Sequence, residues 1–116
     1  VLVMHCNHPQ ELDETVLQAS AALKKAGCHL LNQSVLLAGI NDSASVLADL
    51  SQALFAYDIL PYYLHLLDKV QGAAHFDLPF ERAQAIYQEL QTLLPGYLVP
   101  RLAREEPGRL HKTILI

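Results

Sequence analysis

Three stretches of nearly unbroken apolar residues, Val1 to Cys6, Leu30 to Leu37 and Leu60 to Leu67, recur at intervals of about thirty residues, the spacing of repeated strand–helix units. A strand covered on both faces reads as a continuous apolar run, so these three predict a parallel sheet sheathed by helices. Between the runs the period changes to that of a helix. The first helix is predicted to begin near Pro9, a residue suited to an opening turn. It places Leu12, Val16, Ala19, Leu23 and Ala26 on one face before Gly27 ends it. The second has Asn41, Asp42 and Ser43 as capping candidates ahead of Val46, Leu47, Leu50, Leu54 and Tyr57. The third starts near Pro79, aligns Ala83, Ile86, Tyr87, Leu90 and Leu94, and stops at Pro95-Gly96.

The pattern predicts an α/β fold of three consecutive βα units, too few to close a barrel. Either the sheet is small and open, or it is a piece of a larger barrel whose other strands cover its edge. From Tyr97 the periodicity fails, at Pro100, the charged run Arg101 to Arg109 and Pro107-Gly108, before Thr113 to Ile116 turns apolar again. This predicts a loop crossing toward a site and then a short terminal strand. Two segments result, residues 1–96 and a tail, 97–116.

Composition narrows the class. With 52% hydrophobic and 17% charged residues in 116, there is enough apolar material for one core, which argues against disorder. A net charge of −4 and eight scattered Lys and Arg form no basic stripe, so no nucleic-acid partner is expected. No apolar run reaches the roughly 20 residues of a membrane-spanning helix. The chain does not begin with Met and opens with no signal-peptide pattern, so the reading expects residues upstream of Val1. Two cysteines, Cys6 and Cys28, make no disulfide framework, which suits a reducing, cytoplasmic setting.

Chemistry in parallel α/β folds gathers at the C-terminal strand ends, and the unusual polar residues cluster there. His5, Cys6, Asn7 and His8 follow the first strand; Asn32, Gln33 and Ser34 interrupt the second; His65 and Asp68 lie along and after the third. Each has two readings. The first group is either a capped turn into the helix or a cofactor contact, and it offers no complete set of four metal ligands, so no metal site is expected. The buried amides pair with backbone or with a ligand. Asp68 either caps a helix or pairs with Lys69, or else it receives a cationic substrate. Lys112 is either a solvated tail lysine or a Schiff-base lysine.

The run Leu31-Asn32-Gln33-Ser34-Val35-Leu36-Leu37-Ala38-Gly39-Ile40-Asn41-Asp42 resembles the NQSVLL-x-G-[VI]-ND signature of the lysine 2,3-aminomutases. His5 to Pro9 is similar to that family's HxNHP, Pro61-Tyr62-Tyr63-Leu64 precedes Asp68 as in the family, and Gly72 to Phe76 resembles its GxxHF element. Leu60 to Phe76 and Gly96 to Glu105 look most like the branch that makes β-lysine for elongation factor P. The resemblance covers essentially the whole chain. It implies the C-terminal half of a partial TIM-like radical SAM barrel, acting on lysine with pyridoxal phosphate, S-adenosylmethionine and a 4Fe-4S cluster.

The same resemblance implies the roles of individual residues. Lys112 matches the lysine bonded covalently to pyridoxal phosphate, and Asp68 and Glu105 match two carboxylates that hold the remote ammonium of the substrate. Asn7, His8, Gln33 and His65 match positions lining the cofactor sites. Ser43 stands where clostridial members carry a zinc-ligand cysteine, so that zinc is not expected. Two departures matter. Pro107-Gly108-Arg109-Leu110-His111 is bulkier than the family's glycine-rich approach to the lysine, and the CxxxCxxC cluster motif is absent from these residues. The expectation is therefore a chain inactive alone, completed by an N-terminal half of the barrel and forming a homo-oligomer in one version. The alternative is a truncated, non-catalytic α/β module that folds and self-associates.

Overall fold

A computed structural model of the chain describes residues 1–66, 78–104 and 113–114. Five strands form one sheet in sequence order: β1 (Leu2–Met4), β2 (Leu30–Leu36), β3 (Ile59–Leu66), β4 (Arg101–Arg104) and β5 (Thr113–Ile114). The first four are parallel, and β5 runs antiparallel to β4. Helices α1 (Glu14–Lys25), α2 (Ala44–Ala56) and α3 (Phe80–Leu93) connect them. The α/β repeat of strand and helix is therefore as the apolar pattern predicts.

The core lies between the sheet and the helices. Leu36, Leu64 and Leu102, one from each of three adjacent strands, pack against Leu47 and Ala48 of α2 and Ile86, Tyr87 and Leu90 of α3. A second cluster at the other end of α2 joins Leu30, Ile59, Leu50, Leu54 and Cys6. These contacts fix which face of each strand meets the helices. The β2–β3 register pairs Asn32 with Pro61 but Gln33 with Tyr63, leaving Tyr62 as an extra, unpaired residue in β3.

Local chemistry explains the helix ends. The Asp13 carboxylate accepts from Val16 N at 2.9 Å at the start of α1, and Lys24 and Lys25 sit in its last turn, where the helix dipole favours cations. Gly27, at φ +95°, then reverses the chain. Asp58 takes the same left-handed role after α2 at φ +64°, and its carboxylate meets Lys24 Nζ at 2.9 Å.

Two sequence expectations are corrected. The first helix does not run on from Pro9: Pro9–Glu11 is a separate 3-10 turn, and α1 restarts after Asp13. Within α1 Ser20 is the buried residue, and Ala19, Leu23 and, at the C-cap, Ala26 of the expected face are exposed. The tail is not a loop across 101–104, because Arg101–Arg104 adds a fourth parallel strand that pairs with Tyr63–His65. Its hydrogen bonds come from a strand already in place, so a short segment with charged ends suffices.

Candidate functional site

Backbone pairing between β1 and β2 ends at Met4 and Asn32, yet the chain stays beside β2 for several residues more. Side-chain amides take over there. Asn32, nearly fully buried, accepts from Cys6 N at 2.9 Å and donates to Cys6 O at 3.1 Å, imitating one rung of a ladder. Asn7 Oδ1 accepts from Val35 N at 2.9 Å. Asn41, 0% exposed, donates through Nδ2 to Asn7 O at 2.7 Å and Val35 O at 2.9 Å, and its Oδ1 accepts from Leu37 N at 2.8 Å. Three asparagines thus fasten the loop after β1 to the end of β2.

That loop presents His8. Its Nδ1 accepts from Gln10 N at 3.1 Å, capping the turn at Pro9–Glu11, so the ring proton of the neutral imidazole resides on Nε2. Both readings of this loop are therefore compatible: the turn is capped, and the capping leaves Nε2–H as the atom His8 can offer a ligand. Cys6 belongs to the core, and burial, with the charge of Glu11 adding to it, pushes its thiol pKa up.

Period-two alternation divides the polar residues of β2. Asn32 and Ser34 are buried on the helix side, whereas Gln33 lies on the opposite face in register with Tyr63. Gln33 Oε1 is 2.8 Å from His65 Nε2, and because an amide oxygen only accepts, the imidazole donates. The Tyr63 ring lies 5.5 Å from His65 and 4.2 Å from Tyr62, centroid to centroid. A hydrogen bond with Tyr62 and burial raise the Tyr63 hydroxyl pKa, while Arg101, its register partner on β4, pulls it down. This face therefore carries a row of Gln33, His65, Tyr63 and Arg101, a mixture of donors, acceptors and aromatic surface suited to a polar, flat ligand.

Of the residues singled out by sequence, Asn7, His8, Gln33 and His65 are described, and the structure gathers Gln33 with His65 and ties Asn7 to β2. Asp68, Glu105 and Lys112 lie outside the described residues. Among the described residues no group of three or more His, Cys, Asp or Glu is placed to hold a metal ion, and no helix is long and apolar enough to cross a membrane. Sequence reading gave Asn41 only a capping role; the signal it held was an amide beside a glycine turn. Ser43, not Asn41, occupies the N-cap of α2.

The chain is 57% identical over 115 residues, 99% of its length, to the L-lysine 2,3-aminomutase of Escherichia coli, of which it covers 34%. It is 54% identical over 114 residues to that of Haemophilus influenzae, again covering 34% of the relative. With the L-lysine 2,3-aminomutase of Clostridium subterminale it shares 38% over 109 residues, 94% of this chain and 26% of the relative. It spans about a third of the length of the first two. No family model matches the chain.

Proposed function

We propose that this chain, which belongs to the lysine 2,3-aminomutase family, forms the C-terminal βα repeats of a radical SAM enzyme that moves the α-amino group of lysine to its β-carbon. The observation that carries this is the alignment itself, which runs through almost every residue at 57% identity. The higher identity to the Escherichia coli and Haemophilus influenzae relatives than to the clostridial one supports the branch that supplies β-lysine for elongation factor P. That role belongs in the cytoplasm.

The donor set fits a ligand with polar edges. His8 offers Nε2–H, Gln33 and His65 form a hydrogen-bonded pair, and no described residue accepts from Asn7 Nδ2, whose Oδ1 is held by Val35. When bound, S-adenosylmethionine with its 4Fe-4S cluster supplies hydrogen abstraction, and pyridoxal phosphate supplies the covalent hold on the migrating amino group. Asn7, His8, Gln33 and His65 orient these groups. Lys112 provides the amine that anchors pyridoxal phosphate before substrate arrives. Asp68 and Glu105 pair with the remote ammonium and select lysine over shorter or acidic amino acids. With two cysteines in the chain, one of them in the core, the ligands of the cluster come from residues outside these 116. Alone, these residues do not turn lysine over.

The test is turnover of lysine by the protein expressed from its full coding sequence, with S-adenosylmethionine, pyridoxal phosphate and a reductant. The expected result is β-lysine from the parent protein and a rise in the lysine KM in Asp68→Ala. A parent that binds pyridoxal phosphate equally after Lys112→Ala, or isomerises lysine equally after Asp68→Ala, overturns the assignments.

A further inference from the structure

We infer that Asn41 is a positioning residue: its carboxamide sets the distance between the loop that carries His8 and the strand that carries Gln33. The inference rests on the reading above that His8 and Gln33 face a ligand, but its geometry stands apart from that reading. The backbone ladder between β1 and β2 stops at Met4 and Asn32; beyond it Asn32 holds Cys6 and the Asn7 side chain holds Val35 N, which leaves the backbone carbonyl of Asn7, next to His8, to be fixed by another group. Asn41 supplies the connection. One planar group, 0% exposed, spends both Nδ2 protons on the carbonyls of Asn7 and Val35 and its oxygen on the amide of Leu37. It therefore joins the turn after β2 to the loop after β1 at a single point.

Asparagine is required by that valence. Aspartate has no donor, serine has one, and glutamine places the same group one methylene too far. The bond from Val35 N to Asn7 Oδ1 closes the ring of contacts, so Val35 is held at both its N–H and its C=O, two residues beyond Gln33. His8 follows Asn7 directly, and its ring is locked by the bond from Gln10 N. A displacement of Asn7 O is consequently transmitted to the imidazole without being absorbed by a ring rotation. A capping role alone needs none of this, since Ser43 holds the N-cap of α2.

The experiment compares Asn41→Asp with Ile59→Ala, a core substitution at the N-terminal end of β3, in the protein at its full coding length. Two readouts are taken well below the melting temperature of both variants. In hydrogen exchange, Asn41→Asp, which loses both donors but keeps an acceptor for Leu37 N, is expected to speed exchange of the Val35 amide and of residues 5–8, leaving the Leu37 amide and the β3 amides near Ile59 unchanged. In kinetics, kcat is expected to fall about tenfold or more with the lysine KM preserved, because misplacement of an orienting group costs rate. Ile59→Ala, matched for lost thermal stability, keeps its kcat. If Asn41→Asp does not fold, Asn41→Ser, with a single donor, is read in the same assays. Unchanged exchange at residues 5–8, or equal losses of kcat in the two variants, overturns the inference. If His8→Ala and Gln33→Ala both retain full kcat, it is the functional reading that fails, and the exchange result still decides whether Asn41 sets the loop.

Discussion

Tyr87→Phe removes one oxygen atom whose surroundings are well defined. Tyr87 is 5% exposed on α3, and its hydroxyl donates to Pro100 O at 2.7 Å, directly ahead of β4. The substitution deletes that bond, leaves a buried carbonyl without this donor and takes an acceptor from the Leu102 backbone, at a cost of about 1–2 kcal/mol. Burial raises the Tyr87 pKa, with a backbone hydrogen bond from Leu102 and the charge of Arg101 acting in the other direction. The unfolded chain releases this proton near pH 10 or so, whereas the folded chain holds it to higher pH. Above about pH 10 the native state therefore binds more protons than the unfolded state, and stability falls as pH rises. Tyr87 contributes fully below that pH and loses its contribution as pH climbs through the folded pKa. Urea unfolding followed by circular dichroism, from about pH 8 to about pH 10.5, should show parent and variant separated by about 1–2 kcal/mol at the lower pH and converging at the higher. The other tyrosines, including Tyr63 with its own raised pKa, are common to both proteins and cancel. A separation that stays constant across the range refutes the argument, as does one below about 0.3 kcal/mol.

Three further perturbations follow from the same geometry. Asn32→Ala leaves the N–H and C=O of Cys6 without their partners in a buried setting, and chemical denaturation should register a loss of about 2–5 kcal/mol. Asp58→Gly relieves a left-handed residue while giving up only an exposed ion pair, so it should be more stable than Asp58→Ala by about 1 kcal/mol in thermal melts. Iodoacetamide at about pH 8 should modify Cys28 well before Cys6, because the Cys6 thiol is buried and its pKa is raised; mass spectrometry of the digested protein reads the order directly.

The strands β1 to β3 and the helices were legible because long apolar runs and 3.6-residue periodicity report burial directly. β4 was not. Pro100, Arg101 and Arg104 mask a two-residue apolar centre, Leu102 and Ala103, whose strand conformation is imposed by β3. The buried face of α1 was misjudged because periodicity marks which residues share a face and not how far a neighbouring layer covers it: within α1 Ser20 is buried, whereas Ala19 and Leu23 are exposed. Within the site, sequence could mark Asn32, Gln33 and Ser34 as unusual but could not tell which served structure and which faced outward. Strand alternation settles it: Asn32 binds backbone, and Gln33 binds His65. The role of Asn41 depends on residues 6 and 34 positions away, which no local pattern encodes.

The unpaired Tyr62 acts as a phase shifter. Upstream of it Ile59 and Pro61 are buried, Ile59 in the core; downstream the position that joins the core is Leu64, three residues after Pro61 rather than two or four, while His65, also buried, turns to Gln33. Strict alternation from Ile59 would turn Tyr63 and His65 inward to the core and put Leu64 on the other face. The exclusion of Tyr62 from the ladder thus decides that an imidazole, rather than a leucine, meets Gln33. Deleting Tyr62 would therefore leave both faces as they are and turn the strand into a regular ladder, whereas drawing Tyr62 into the pairing would exchange them, so in this region the bulge, more than side-chain identity, carries the chemistry.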